Sequence, residues 1–113
     1  MSSITTHILD TSIGKPAANV SLKLAQKSAD GYWHTLAEGI TNADGRVADL
    51  LSKNTVLPVG LYKMTFYTEG YFEAQNRPCF YPVVDIQFYM YDNTHYHIPL
   101  LLSPFGYSTY RGS

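Results

Sequence analysis

Val20-Ser21-Leu22-Lys23-Leu24-Ala25-Gln26-Lys27, closed by Asp30-Gly31, decides the fold. Val20, Leu22 and Leu24 fall on one side and Ser21 and Lys23 on the other, the signature of a half-buried antiparallel strand. Asp-Gly between alternating runs marks a tight hairpin. It predicts Tyr32 to Thr41 as the returning strand, with Trp33 as a core or interface anchor. Upstream, Ile4 to Asp10 reads as a strand with Thr5, His7 and Leu9 on one face and Ile4, Thr6 and Ile8 on the other. Residues 10–16 read as a loop punctuated by Gly14 and Pro16. Downstream, Asn42-Ala43-Asp44-Gly45 is a turn that delivers Arg46 to a short extended piece. After a loop over 54–60, further strands are predicted at Leu61–Thr68, Val83–Tyr91, Thr94–Ser103 and Gly106–Arg111. Tyr71 to Asn76 is the one helical segment, stopped at Arg77-Pro78 because a residue before proline avoids the α region. Seven or eight short strands at this rhythm predict an all-β antiparallel sandwich or barrel. No helical stretch is long enough for the crossovers of a parallel α/β sheet.

The 113 residues fit one domain, 1–113, with apolar residues at 45% and charged residues at only 15%, which argues against disorder. A net charge of −1 excludes the broad basic footprint of a nucleic-acid binder. No apolar run approaches the ~20 residues that span a bilayer, so no membrane partner is expected. The first seven residues carry no basic and no apolar region of the signal-peptide kind, and Cys79 is a single cysteine. A reducing, cytoplasmic setting is therefore expected. Ten tyrosines and few charges hint at an oligomer.

Four groups carry possible chemistry. His95-Tyr96-His97 on a strand puts two imidazoles on one face, about 7 Å apart at Cα. Such a pair binds metal or manages protons near neutral pH, but more commonly it is a hydrogen-bonded structural pair. A metal site needs a third ligand, and the sequence offers no obvious one. His7 sits alone in a hydroxyl-rich strand. Arg46 leaves its turn with five donors for a planar carbonyl or an anion. The tail Tyr107–Ser113 ends in residues able to hydrogen-bond instead of a solvating run. Cys79, between Pro78 and Phe80, reads as buried and inert. There is no paired-carboxylate arrangement, Gly-x-Gly-x-x-Gly, phosphate loop or Gly-x-Ser-x-Gly elbow.

Taken together, Thr6-His7-Ile8-Leu9-Asp10, Asp44-Gly45-Arg46, His95 to Pro104 and the closing Tyr110-Arg111-Gly112-Ser113 resemble the transthyretin-related 5-hydroxyisourate hydrolase family. The resemblance covers essentially the whole chain in order. It implies a transthyretin-like sandwich of two four-stranded sheets with one short helix, assembled as a homotetramer, a dimer of dimers, with active sites in a channel where two dimers meet. It implies hydrolysis of 5-hydroxyisourate at its C6 carbonyl to 5-hydroxy-2-oxo-4-ureido-imidazoline-5-carboxylate, a step of urate breakdown that uses no metal or cofactor. His7, Arg46, His97 and Ser113 correspond to the catalytic set, and Tyr110, Arg111 and His95 to substrate-binding positions. Either His97 or His7 fits the general base. Two alternatives stand beside it. One is a transthyretin-like carrier of small ligands, a branch that lacks the strand histidine, the turn arginine, the second histidine of the pair and the Tyr-Arg-Gly-Ser ending. The other is a metal-dependent hydrolase using His7, His95 and His97.

Overall fold

In the computed structural model the described residues are 3–112. Eight strands and one helix follow in the order β1 (Ile4–Asp10), β2 (Lys15–Pro16), β3 (Ser21–Lys27), β4 (Trp33–Ile40), β5 (Gly60–Tyr67), α1 (Thr68–Glu73), β6 (Val84–Met90), β7 (Tyr96–Ser103) and β8 (Gly106–Thr109). They form two four-stranded sheets, β2-β1-β7-β8 and β4-β3-β5-β6. The sandwich and the single short helix expected from the sequence are both present. One pairing departs from the antiparallel expectation: β1 runs parallel to β7, from Ile4 opposite Tyr96 to Asp10 opposite Leu102. The crossover that parallel strands require is here the entire second sheet with its helix.

Period-two alternation accounts for the core. Ile4 and Ile8 of β1 with Ile98, Leu100 and Leu102 of β7 meet Leu22, Leu24, Met64, Phe66 and Val84 of the facing sheet, all essentially solvent-free. Burying such side chains stabilises by roughly 1.5–3 kcal/mol each. Tyr62 is fully buried, and its hydroxyl donates to the Pro58 carbonyl at 2.6 Å.

Four local expectations need correction. The helix begins at Thr68 and its last assigned residue is Glu73, ahead of the predicted 71–76. Thr68-Glu69-Gly70 is a poor helix start by propensity. Tertiary bonds impose it instead, as Thr68 Oγ1 donates to Tyr81 O at 2.6 Å and Glu69 N–H to Pro82 O at 3.1 Å. The chain then leaves through Asn76, at φ 53°, with Asn76 N–H on Glu73 O and Arg77 N–H on Phe72 O, both at 3.0 Å. That is a Schellman closure. Trp33 is outside the core: it is half-exposed on the edge strand β4, with the Lys63 ammonium 4.5 Å from its ring centroid. Cys79 is half-buried, not buried. The loop over 10–16 also pairs briefly, Pro16 taking an edge position where its missing N–H costs no ladder bond.

Asp10, at the end of β1, is completely buried and charged. Burial opposes that charge. Hydrogen bonds from Ser12, Arg77 and Tyr71, together with the Arg77 guanidinium, outweigh it and hold the carboxyl below its usual range. Tyr71 Oη donates at 2.7 Å, and Arg77 lies 4.9 Å over the Phe72 ring, so the cluster fastens the helix to the end of β1. Because the folded pKa is depressed, this stabilisation is present above the unfolded value of ~3.9 and is lost as pH falls through the lower folded value. Arg77→Met leaves the carboxylate buried without its cation. Urea unfolding of that variant at pH 7 is expected to lose about 3–5 kcal/mol, and an unchanged midpoint would contradict the role given to this pair.

Candidate active site

The parallel register sets Thr5 opposite His97 and His7 opposite Pro99. Thr5, His7 and His97 therefore share the outer face of the β2-β1-β7-β8 sheet, while Thr6 and Ile98 point into the core. His95 lies just before β7. Thr5 Oγ1 ties the two histidines together, at 2.8 Å from His97 Nδ1 and 2.9 Å from His95 Nε2. The same-face placement expected of the His-Tyr-His run is thus met.

Arg46 arrives from a turn built by Asn42. Asn42 Oδ1 accepts from Asp44 N–H at 2.9 Å and Arg46 N–H at 3.1 Å, and Gly45 N–H returns to Asn42 O at 2.9 Å. Ile8 N–H donates to Gly45 O at 2.9 Å, and Arg46 forms a lone β-bridge with His7. Gly45 has φ +74°, and a Cβ there would lie 2.4 Å from Ile8 O and 3.3 Å from His7 Cδ2. Only glycine lets the turn press this closely on β1. The tail behaves alike: Gly112 bridges His97, donating its N–H to His97 O at 2.9 Å. A Cβ on Gly112 would stand 2.5 Å from His97 Cδ2, so the imidazole fills the space a side chain would take.

The electrostatics favour a neutral imidazole at His97. Burial lowers its pKa most, and Arg46, His95 and His7 add repulsion against an imidazolium, partly offset by the neighbouring Thr5. Arg46 is exposed, and among the described residues no carboxylate pairs with it. Its donors are therefore open to a carbonyl or an anion from solution.

Not every expected residue joins this face. Arg111 stacks 4.3 Å from the Tyr96 ring centroid, on the core side of β7 and opposite His97. Tyr96 is fixed in turn by donating to Asp92 Oδ1 at 3.0 Å and accepting from Tyr91 N–H at 2.9 Å. With Tyr110, Arg111 lines a cavity of about 290 Å³ against Ile86, Phe88, Tyr89 and Ile98, separate from the histidines. Ser113 lies outside the described residues. Among the described residues no three His, Cys, Asp or Glu side chains converge as a metal-binding set. Sequence reasoning gave no role to Thr5. Its alternation onto the His7 face was the available signal.

The two four-stranded sheets and single short helix define a transthyretin-type protein, and one outer face carries an imidazole favoured neutral beside an open guanidinium. Over residues 4–112 the chain belongs to the HIUase/Transthyretin family. The 5-hydroxyisourate hydrolase of Salmonella dublin is 44% identical over 111 residues, covering 97% of this chain and 80% of that protein. The structure of Klebsiella pneumoniae 5-hydroxyisourate hydrolase superposes with a TM-score of 0.84 at 39% identity, covering 97% of this chain and 98% of that one. Sea bream transthyretin, solved in complex with thyroxine, superposes with a TM-score of 0.91 at 37% identity over 97% of this chain and 94% of its own.

The charge arrangement has a direct check. A proton NMR titration should find His97 ionising below the ordinary histidine value of 6.5. Replacing Arg46 with alanine should move that midpoint upward by removing one positive neighbour. A His97 midpoint at or above 6.5, or one indifferent to Arg46, would contradict the geometry described.

Proposed function

We propose that this chain hydrolyses 5-hydroxyisourate to 5-hydroxy-2-oxo-4-ureido-imidazoline-5-carboxylate in urate degradation. The observation that carries the reading is the shared face of His97, His7 and Arg46, with the His97 pKa lowered by burial first and by the Arg46 guanidinium next. Fold likeness does not choose between an enzyme and a carrier, since the thyroxine-bound transthyretin superposes at least as well as the hydrolase. The residues choose. A neutral imidazole next to a guanidinium suits addition of water to a ring carbonyl, whereas a carrier of apolar ligands needs neither.

In this reading water adds to C6 of the ring. His97 takes the water proton, with His7 orienting water or substrate, and such assistance is worth ~10²–10⁴ in rate. Negative charge grows on the C6 oxygen and is met by Arg46. The N1–C6 bond then breaks, N1 takes the proton that His97 removed from water, and the carboxylic acid formed at C6 releases its own proton to become the carboxylate. Ser113 is assigned to bind the planar substrate, with His95 at the margin of the site, while Tyr110 lines the separate cavity beside Arg111. Arg111, clamped on Tyr96, anchors the terminal strand that presses Gly112 against His97.

A homotetramer, a dimer of dimers, fits the surface of the single chain. The edge strands β6 and β8 carry exposed Tyr89 and Tyr107, Tyr91 and Tyr110 are exposed beside them, and the outer face beside the histidines bears Leu9 and Leu101. Two copies meeting across that face would turn an open sheet surface into a cleft. Among the described residues no helix is long and apolar enough to cross a membrane. The free Cys79 fits a reducing cytoplasm.

Ultraviolet monitoring of freshly generated 5-hydroxyisourate tests the activity, and decay no faster than in buffer would overturn it. His97→Ala should cut kcat by about 10²–10⁴, and Arg46→Ala by about 10²–10³. Near-normal turnover in either variant would remove that residue from the mechanism. The acid limb of kcat/KM should have its midpoint below 6.5, because His97 must be neutral and its pKa is lowered. Sedimentation equilibrium should give a mass near four chains, and a monomer that retains full activity would contradict the shared cleft.

A further inference from the structure

Thr5 Oγ1 is the hub between two ring nitrogens, His97 Nδ1 at 2.8 Å and His95 Nε2 at 2.9 Å. A hydroxyl has one proton to give, and a neutral imidazole has one N–H and one bare nitrogen. If the hydroxyl spends its proton on one ring, the other ring must donate to it. The tautomers of His95 and His97 are thereby coupled. One arrangement runs His97 Nδ1–H to Thr5 Oγ1 and Thr5 Oγ1–H to His95 Nε2, and leaves His97 Nε2 bare. The reverse arrangement puts a proton on His97 Nε2 and disables that nitrogen as an acceptor. Because burial and three cationic or potentially cationic neighbours keep His97 neutral, its tautomer decides whether it can take a proton.

We propose that Thr5 is a positioning residue that locks His97 as the Nδ1–H tautomer, accepting from His97 and donating to His95, so that His97 Nε2 faces the reacting water as a base. The inference rests on reading His97 as the general base. Threonine suits this role because it is stiff at χ1, so a strand-borne hydroxyl is held in place before substrate arrives. It also gives His95 a defined part, as the terminal acceptor of the wire. Valine has the shape of threonine without the hydroxyl, and serine keeps the hydroxyl without the methyl.

Nitrogen-15 NMR of the histidine-labelled wild-type protein reads the tautomer without any substrate. The expected result is a bare Nε2 and a protonated Nδ1 on His97. Thr5→Val should convert this to a mixture or to the Nε2–H form and should lower kcat about 10- to 100-fold, as loss of such a partner typically does, with KM nearly unchanged. Thr5→Ser should restore both the tautomer and turnover. A wild-type His97 carrying its proton on Nε2 overturns the proposal, even if the valine variant does not fold. So does a folded valine variant with unaltered tautomer and kcat. Failure of the wild-type protein to consume 5-hydroxyisourate would strike the proposed function instead, leaving the NMR result to decide the role of Thr5.

Discussion

The parallel pairing of β1 with β7 is the constraint on which everything else hangs. It sets Thr5 beside His97 across a ladder whose other face is sealed in the core by Ile4, Ile8, Ile98 and Leu100. A slip of one residue would exchange the two faces of β1, burying Thr5 and His7 and exporting Ile4 and Ile8. The hydrophobic cost of that exchange protects the site. The polar face inherits its register from the apolar one.

Two further segments close in on this pair of strands, and each does so through a missing side chain. The turn at 42–45 reaches β1 because Gly45 has no Cβ to strike Ile8 O. The tail reaches β7 because Gly112 has none to strike the His97 ring. Arg46 and the terminal residues thus come to the histidines from opposite edges of the strand pair, as β1 meets the turn and β7 meets the tail. The buried Asp10–Arg77 pair acts at a distance by pinning the far end of β1 to the helix. A site mounted on sheet strands and fixed at both ends is preorganised, which suits stabilisation of charge in a transition state.

Much of this was legible in the sequence. Alternation in Ile4–Asp10, Val20–Lys27 and Val84–Met90 marks the strands and their inner faces, because a period of two is a local property. Asp30-Gly31 marks the hairpin for the same reason. The parallel β1–β7 pairing was not legible, since partners more than 80 residues apart leave no mark within either strand. The helix start was misplaced because Tyr81 and Pro82, distant in the chain, hold Thr68 and Glu69. Of the two places expected for Trp33, the core is the one it does not take, because a large aromatic on an edge strand can be satisfied by lysines instead. At the site, His7, Arg46 and His97 stood out as residues, but their joining into one set came from the family resemblance, and the stack of Arg111 on Tyr96 was not foreseen.

The central claim is that one planar oxidised purine is held against His97, His7 and Arg46. A crystal structure of the assembled protein with a stable, non-hydrolysable purine-dione analogue tests it most directly. The expected result places a ring carbonyl within about 3 Å of the Arg46 guanidinium, with His97 Nε2 turned toward the same end of the ring. An analogue seated instead in the cavity between Ile86–Tyr89 and Thr109–Arg111, with the histidine face empty, would contradict the account.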